Sequence, residues 1–420
     1  MNDLYLEMKM QLACQVAHWV DAVARLQNMD DLASSAAWNG IERYLGLSIR
    51  QHLSAVIVQL DREATLLQAA LAAAFTATQL SAVRRQLIAF RTRYMRVETT
   101  LDFYADAINT RTNHKIAGYL RACDTLAHRS MTQLLDLLGK PTPVVLTYID
   151  KGLGASILKA GLRLWDGTSV NPVAVVKITR HNLLRPTALI HEAGHQIAHI
   201  LSWNEELAAK LIANLPDLPS EIVEAWSSWA SEIAADAFAF VHTGYASIAA
   251  LHDVLAGEEA LVFRNIPGDP HPIGFLRLLL GVEMCRQFYE AGPWDNLARA
   301  WADVYSLEKA LSATKTLVRA SLPLLPRIVE ITLIEPMRAF GGRSLATLIN
   351  PGRVKPDVLL ALEQQLGVAL YTSMHWIWTE AIRLLALTGL HMATKPERKT
   401  GTLGQPEEWM LKLGGALQVA

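Results

Sequence analysis

Three cysteines in 420 residues, Cys14, Cys123 and Cys285, are too few and too scattered for a disulfide framework. No two form a Cys-x-x-Cys pair, so they read as buried or idle thiols in a reducing compartment. One-sided charge is also missing. The 39 basic residues face 40 acidic ones for a net charge of -1, and no basic block with interleaved aromatics occurs, which argues against a nucleic-acid partner. No segment offers the run of about 20 strongly apolar residues that a membrane span needs. The two best, 66–83 and 376–392, are interrupted by Gln68, Thr76, Thr78 and Gln79 in the first and by Glu380 and Arg383 in the second. Membrane insertion is therefore not expected. The first residues, Met1-Asn-Asp-Leu-Tyr-Leu-Glu, lack a basic region followed by an apolar run, and the expectation is a soluble cytoplasmic protein. Also absent are a repeat of fixed period and a Gly-x-x-x-x-Gly-Lys-Ser/Thr loop, so a protease fused to an ATPase of the P-loop kind fits poorly.

Proline does not occur before Pro141. With 51% hydrophobic residues but only 7% aromatic, the chain reads as alanine- and leucine-rich and mainly helical. Residues 1–139 carry apolar positions at three- and four-residue spacing. Leu80, Val83, Leu87, Phe90 and Tyr94 form one stripe, and Leu120, Leu126, Met131, Leu134 and Leu135 another. Arg84, Arg85, Arg91 and Arg93 fill the opposite side and read as a solvated face. Gly139-Lys-Pro-Thr-Pro143 marks a boundary. Beyond it, 144–149 and 172–179 are rich in β-branched residues and read as strands, with 160–165 as a third between them. An edge strand beside a catalytic helix can bind an extended peptide by strand addition, and 173–179 is the candidate. The expected architecture is mainly α with a small β-sheet. A helical scaffold or lid, 1–139, precedes a catalytic core, 140–290, and a helical C-terminal region, 291–420.

The chemistry concentrates in 186–203. Pro186 opens a helix that carries His191-Glu192-x-x-His195, the HExxH arrangement. Two imidazoles four residues apart lie on one helix face, where both can reach one metal ion. Glu192 beside them can take a proton from water. Downstream, on a helix expected over 220–242, Glu232 and Asp236 are again four apart, among Ala234, Ala235, Ala237 and Ala239. A hydrolytic zinc site takes three protein ligands and leaves one position open, so Glu232 supplies the third. Asp236, one turn on, can accept the outer N–H of a ligand histidine. Gly194 and the alanines allow the two helices to approach closely. His199 continues the histidine series but lies about 12 Å along the helix from His191, too far to share an ion, and reads as structural.

HExxH followed by a helix with Glu-x-x-x-Asp resembles the gluzincin group of zinc metallopeptidases, over about residues 144–290. The resemblance implies a zincin-like α+β core and one zinc ion per chain held by His191, His195 and Glu232. It also implies that Glu192 activates water and that Asp236 orients a histidine. Gluzincins place a His or Tyr donor at the oxyanion. Here His271 and Tyr245 are the candidates, with His242 and Arg277 behind them, and His271-Pro272 followed by Arg277 is similar to a His-Pro…Arg segment of some HExxH peptidases. The resulting expectation is a zinc peptidase acting on a peptide or protein substrate, with a protein partner possible through the helical flanks. Two rivals stay open: a zinc-bearing scaffold with little turnover, and a zinc hydrolase of a non-peptide amide.

Overall fold

The computed structural model describes residues 3–161, 170–215, 218–395 and 404–415. They form a mainly helical protein with one small three-stranded sheet, as the composition implied. Contacts divide the chain into two units, Met1–Thr112 with Ala160–Val175, and Asn113–Lys159 with Val176–Ala420.

The first unit is built from α1 (Asp3–Leu26), α2 (Ser35–Leu45), α3 (Ile49–Ala72) and α4 (Ala77–Asn109). Helices α1, α3 and α4 pack on one another. The expected stripe of α4 is buried and extends through Val97, Leu101, Tyr104 and Ile108, a three-four spacing that keeps one helix face on the core. Thr76 starts this helix with a capping box: its hydroxyl accepts from Gln79 N at 3.2 Å, while Gln79 Oε1 accepts from Thr76 N at 3.0 Å. The later segment joins the unit through Asn171, whose side-chain oxygen accepts from Tyr104 at 2.7 Å.

The second unit opens with α5 (His114–Leu135), so the helical run before Pro141 contributes to both units. Buried Asp124 on α5 accepts from the backbone N and the hydroxyl of Thr147, at 2.7 and 2.8 Å, and so fastens the helix to β1 (Val144–Ile149). Burying even a neutral polar group without such donors would cost on the order of 2–7 kcal/mol, and an ionised carboxylate more. The sheet continues with β2 (Ser156–Leu158) and β3 (Val173–Ile178) in the order β1-β3-β2. Two strands fall where the β-branched runs put them. The strand expected at 160–165 lies mostly outside the described residues, and Ser156–Leu158 is the third described strand. The order also corrects the candidate for strand addition: β3 is paired on both sides, so its backbone groups are already used, and β2 is the outer strand only among the described residues.

Then follow α6 (Thr187–Leu201), α7 (Trp203–Asn214), α8 (Ser220–Ser228) and α9 (Ala230–Thr243). The single helix expected over 220–242 is divided at Trp229, which sits at φ -86°, ψ 0° between α8 and α9. Helices α6 and α9 pack closely where Gly194 meets Ala235. A Cβ on Gly194 would stand 2.8 Å from Ala235 Cα and 3.0 Å from both its carbonyl oxygen and Phe238 Cβ. Next come α10 (Tyr245–Leu255), α11 (Glu259–Val262) and α12 (Gly274–Tyr289). Among the later helices, Ala381–Thr394 packs on α10 and Gly404–Gly415 on α5. No helix among the described residues is long and apolar enough to cross a membrane.

Candidate metal centre

Helices α6 and α9 bring His191, His195 and Glu232 to one point. The two imidazoles stand edge to face with centroids 4.7 Å apart, as a one-turn offset on a helix dictates. His191 Nε2 lies 3.4 Å from Glu232 Oε2, and His195 Nε2 lies 3.3 Å from Glu232 Oε1. Tetrahedral bonds of about 2.1 Å place ligand atoms about 3.4 Å apart, so the donor set fits a small divalent ion.

The outer nitrogens are held as well. His191 Nδ1 is 2.8 Å from Asp236 Oδ1, and His195 Nδ1 is 3.3 Å from Ser231 Oγ. With the protons on Nδ1, both Nε2 lone pairs point at the shared centre. Asp236 thus stands where the sequence put it. Ser231 carried no signal in the sequence, since adjacent helix residues point about 100° apart and only the crossing of α6 and α9 sets its hydroxyl against His195.

Arg277, buried on α12, ties the carboxylates together. Its Nε and Nη2 donate to Asp236 at 2.7 and 2.8 Å, and Nη2 also reaches Glu232 Oε2 at 2.9 Å. A guanidinium fork suits this bidentate task, which it performs through Nε and Nη2. Burial alone would raise both carboxyls. The histidines and Arg277 outweigh it, holding Asp236 at about 2 and Glu232 well below the usual carboxylate range. Burial likewise opposes charge on His191, but Asp236 and Glu232 overcome it and raise the imidazole to about 10. The metal-free centre is therefore a proton-holding cluster, from which an incoming cation must displace a proton. Glu192 differs from its neighbours: burial pushes its carboxyl upward, and the nearby histidines only partly offset this.

These groups line a cavity of about 460 Å³. His271 sits at its exposed side, with Nδ1 2.7 Å from Asp269 Oδ1 and Nε2 3.6 Å from Glu232 Oε1. Tyr245 is not brought to this cavity. Its ring is buried against Trp294 at 5.6 Å, and burial pushes its hydroxyl up to about 12. His242 also lies elsewhere, packed on Phe238 at 4.5 Å, and His199 does not line the cavity. Two sets of residues had no sequence signal. Gly154–Lys159 brings β2 to the rim, with the Lys159 ammonium lowered by burial against the pull of Glu192 and Glu232. Ala250, Leu251 and Val254 of α10, with Ala188, make an apolar wall. No family model, curated protein or solved structure matches this chain.

Proposed function

We propose that this chain is a zinc-dependent peptidase of the gluzincin kind, hydrolysing peptide bonds in extended peptide or protein segments. The observation that carries the reading is the convergence of His191 Nε2, His195 Nε2 and the Glu232 carboxylate, at 3.4 and 3.3 Å, beside buried Glu192 on an accessible cavity. His191, His195 and Glu232 would hold one zinc ion per chain, which when bound supplies Lewis acidity toward water and the scissile carbonyl.

The protein's own groups do the rest. Glu192, with its proton affinity raised by burial, takes a proton from the attacking water. It then delivers that proton to the amine nitrogen as the carbon–nitrogen bond breaks. His271, held through Nδ1 by Asp269, turns Nε2 toward the centre and in its protonated form donates to the oxygen that gains charge. Asp236 and Ser231 keep the ligand rings in register, and Arg277 keeps both carboxylates ionised. The wall of Ala188, Ala250, Leu251 and Val254 suits an apolar side chain.

The test is metal analysis together with Glu192→Gln. The expected result is near-stoichiometric zinc in both proteins and hydrolysis reduced at least about 100-fold in the variant. Folded protein without zinc, or unchanged hydrolysis, overturns the proposal. Zinc-loaded protein that cleaves nothing in a broad peptide screen supports the scaffold reading instead. Metal-dependent amide hydrolysis without new protein N-termini supports the non-peptide one.

A further inference from the structure

Helix α4 carries a second pattern that the metal centre does not use. Between Glu63 and Glu98 the chain contains no Asp or Glu, yet α4 has Arg84, Arg85, Arg91, Arg93 and Arg96 in that interval. Arg93 pairs with Glu63, whereas the other four are exposed and form no ion pair among the described residues. Their arrangement is ordered. At about 100° per residue, Ile88, Thr92, Met95 and Thr99 fall within one outward stripe about 60° wide, at four-three-four spacing. Arg84 and Arg91 flank that stripe on one side, Arg85 and Arg96 on the other.

The stripe is less polar than its residue types suggest. Ile88 and Met95 are 52% and 50% exposed. The Thr92 and Thr99 hydroxyls donate back to Ile88 O at 3.2 Å and Met95 O at 2.8 Å. The polar atoms are thereby engaged with the helix itself, leaving the threonine methyls for contact. Arg91 is also restrained, its guanidinium 5.6 Å from the centre of the Trp19 ring. Such stacking reduces the entropy lost when the group binds.

We infer that the outward face of α4 is a docking seam for an acidic amphipathic helix of a partner protein. An apolar seam with charged residues on both flanks is the geometry by which two helices pack side by side. Four exposed guanidiniums without carboxylate partners can take carboxylates from the other helix. Arginine at all four positions suits their bidentate recognition.

The probe is a synthetic helix of about 28 residues, four heptads long, with leucine on the seam positions and glutamate on both flanks. Its control has the same composition with the glutamates moved off the flanks. Fluorescence anisotropy with the full chain should show the first peptide binding at least about tenfold tighter than the control, with affinity falling as salt rises. Arg84→Glu with Arg96→Glu, which leaves the Trp19 stack intact and sets one glutamate against one arginine on each flank, should abolish this preference. Ile88→Asp should weaken binding independently of charge, and circular dichroism of each variant controls for folding. Equal binding of the two peptides, or wild-type affinity in the double variant, overturns the inference. So does engagement of this face by phosphatidylserine vesicles or single-stranded DNA when the acidic helix does not bind.

Discussion

Replacing Gly194 by alanine tests whether the α6–α9 approach sets the spacing of the metal ligands. The new Cβ would lie 2.8 Å from Ala235 Cα, a backbone atom that no side-chain rotation can move. Ordinary carbon contact is about 3.5–4.0 Å, so the helices must separate locally by about 0.7–1.2 Å. Overpacking of this kind costs about 1–3 kcal/mol, and alanine returns about 1 kcal/mol through its better helix propensity. The net loss of stability is therefore expected at about 0–2 kcal/mol, and the protein stays folded. The ligands are less forgiving. His191 and His195 stand on α6 and Glu232 on α9, with separations of 3.4 and 3.3 Å. Metal sites tolerate errors of about 0.2 Å, so an opening several times larger should weaken binding by more than about tenfold. Chelator competition with zinc, run beside chemical denaturation of the metal-free proteins, separates the two effects. Wild-type zinc affinity in a folded Gly194→Ala protein would show that the crossing does not set the ligand spacing.

Other consequences can be checked separately. Arg277→Met leaves Asp236 and Glu232 without their buried cation and should destabilise the metal-free protein by about 3–5 kcal/mol, with zinc recovering part of the loss in a thermal scan. His191 is raised to about 10 in the metal-free centre, so zinc uptake at pH 8 should release about one proton, read by calorimetry in buffers of different ionisation enthalpy. His242 is buried, its Nε2 has no hydrogen-bond partner among the described residues, and burial with the Arg353 charge lowers it to about 3. The unfolded chain binds a proton there below 6.5 while the folded chain does not until about 3, so this residue removes stability as pH falls through that window. The full effect approaches about 5 kcal/mol, and His242→Phe should flatten the acid limb between denaturation curves at pH 7 and 4.5.

Local patterns made a large part of this protein legible. The i, i+4 pairs His191/His195 and Glu232/Asp236 required only a helical period to place each pair on one face. The same period identified the buried stripes of α4 and α5, and β-branched runs located β1 and β3. Those readings depend on neighbours within one or two turns, which the chain itself holds at fixed distances.

Other features depend on segments that meet only after folding. Strand order made β3 central and left β2 at the rim, since pairing partners are chosen across the sheet rather than along the strand. The crossing at Gly194 and Ala235 put Ser231 against His195 and brought α12 in with Arg277, 41 residues from Asp236. Tyr245 was as suitable a donor as His271 by residue type, but packing turned it toward Trp294, while Asp269 held His271 at the cavity. Covalent spacing determined which groups could share a helix face; tertiary packing decided which of those faces share a site.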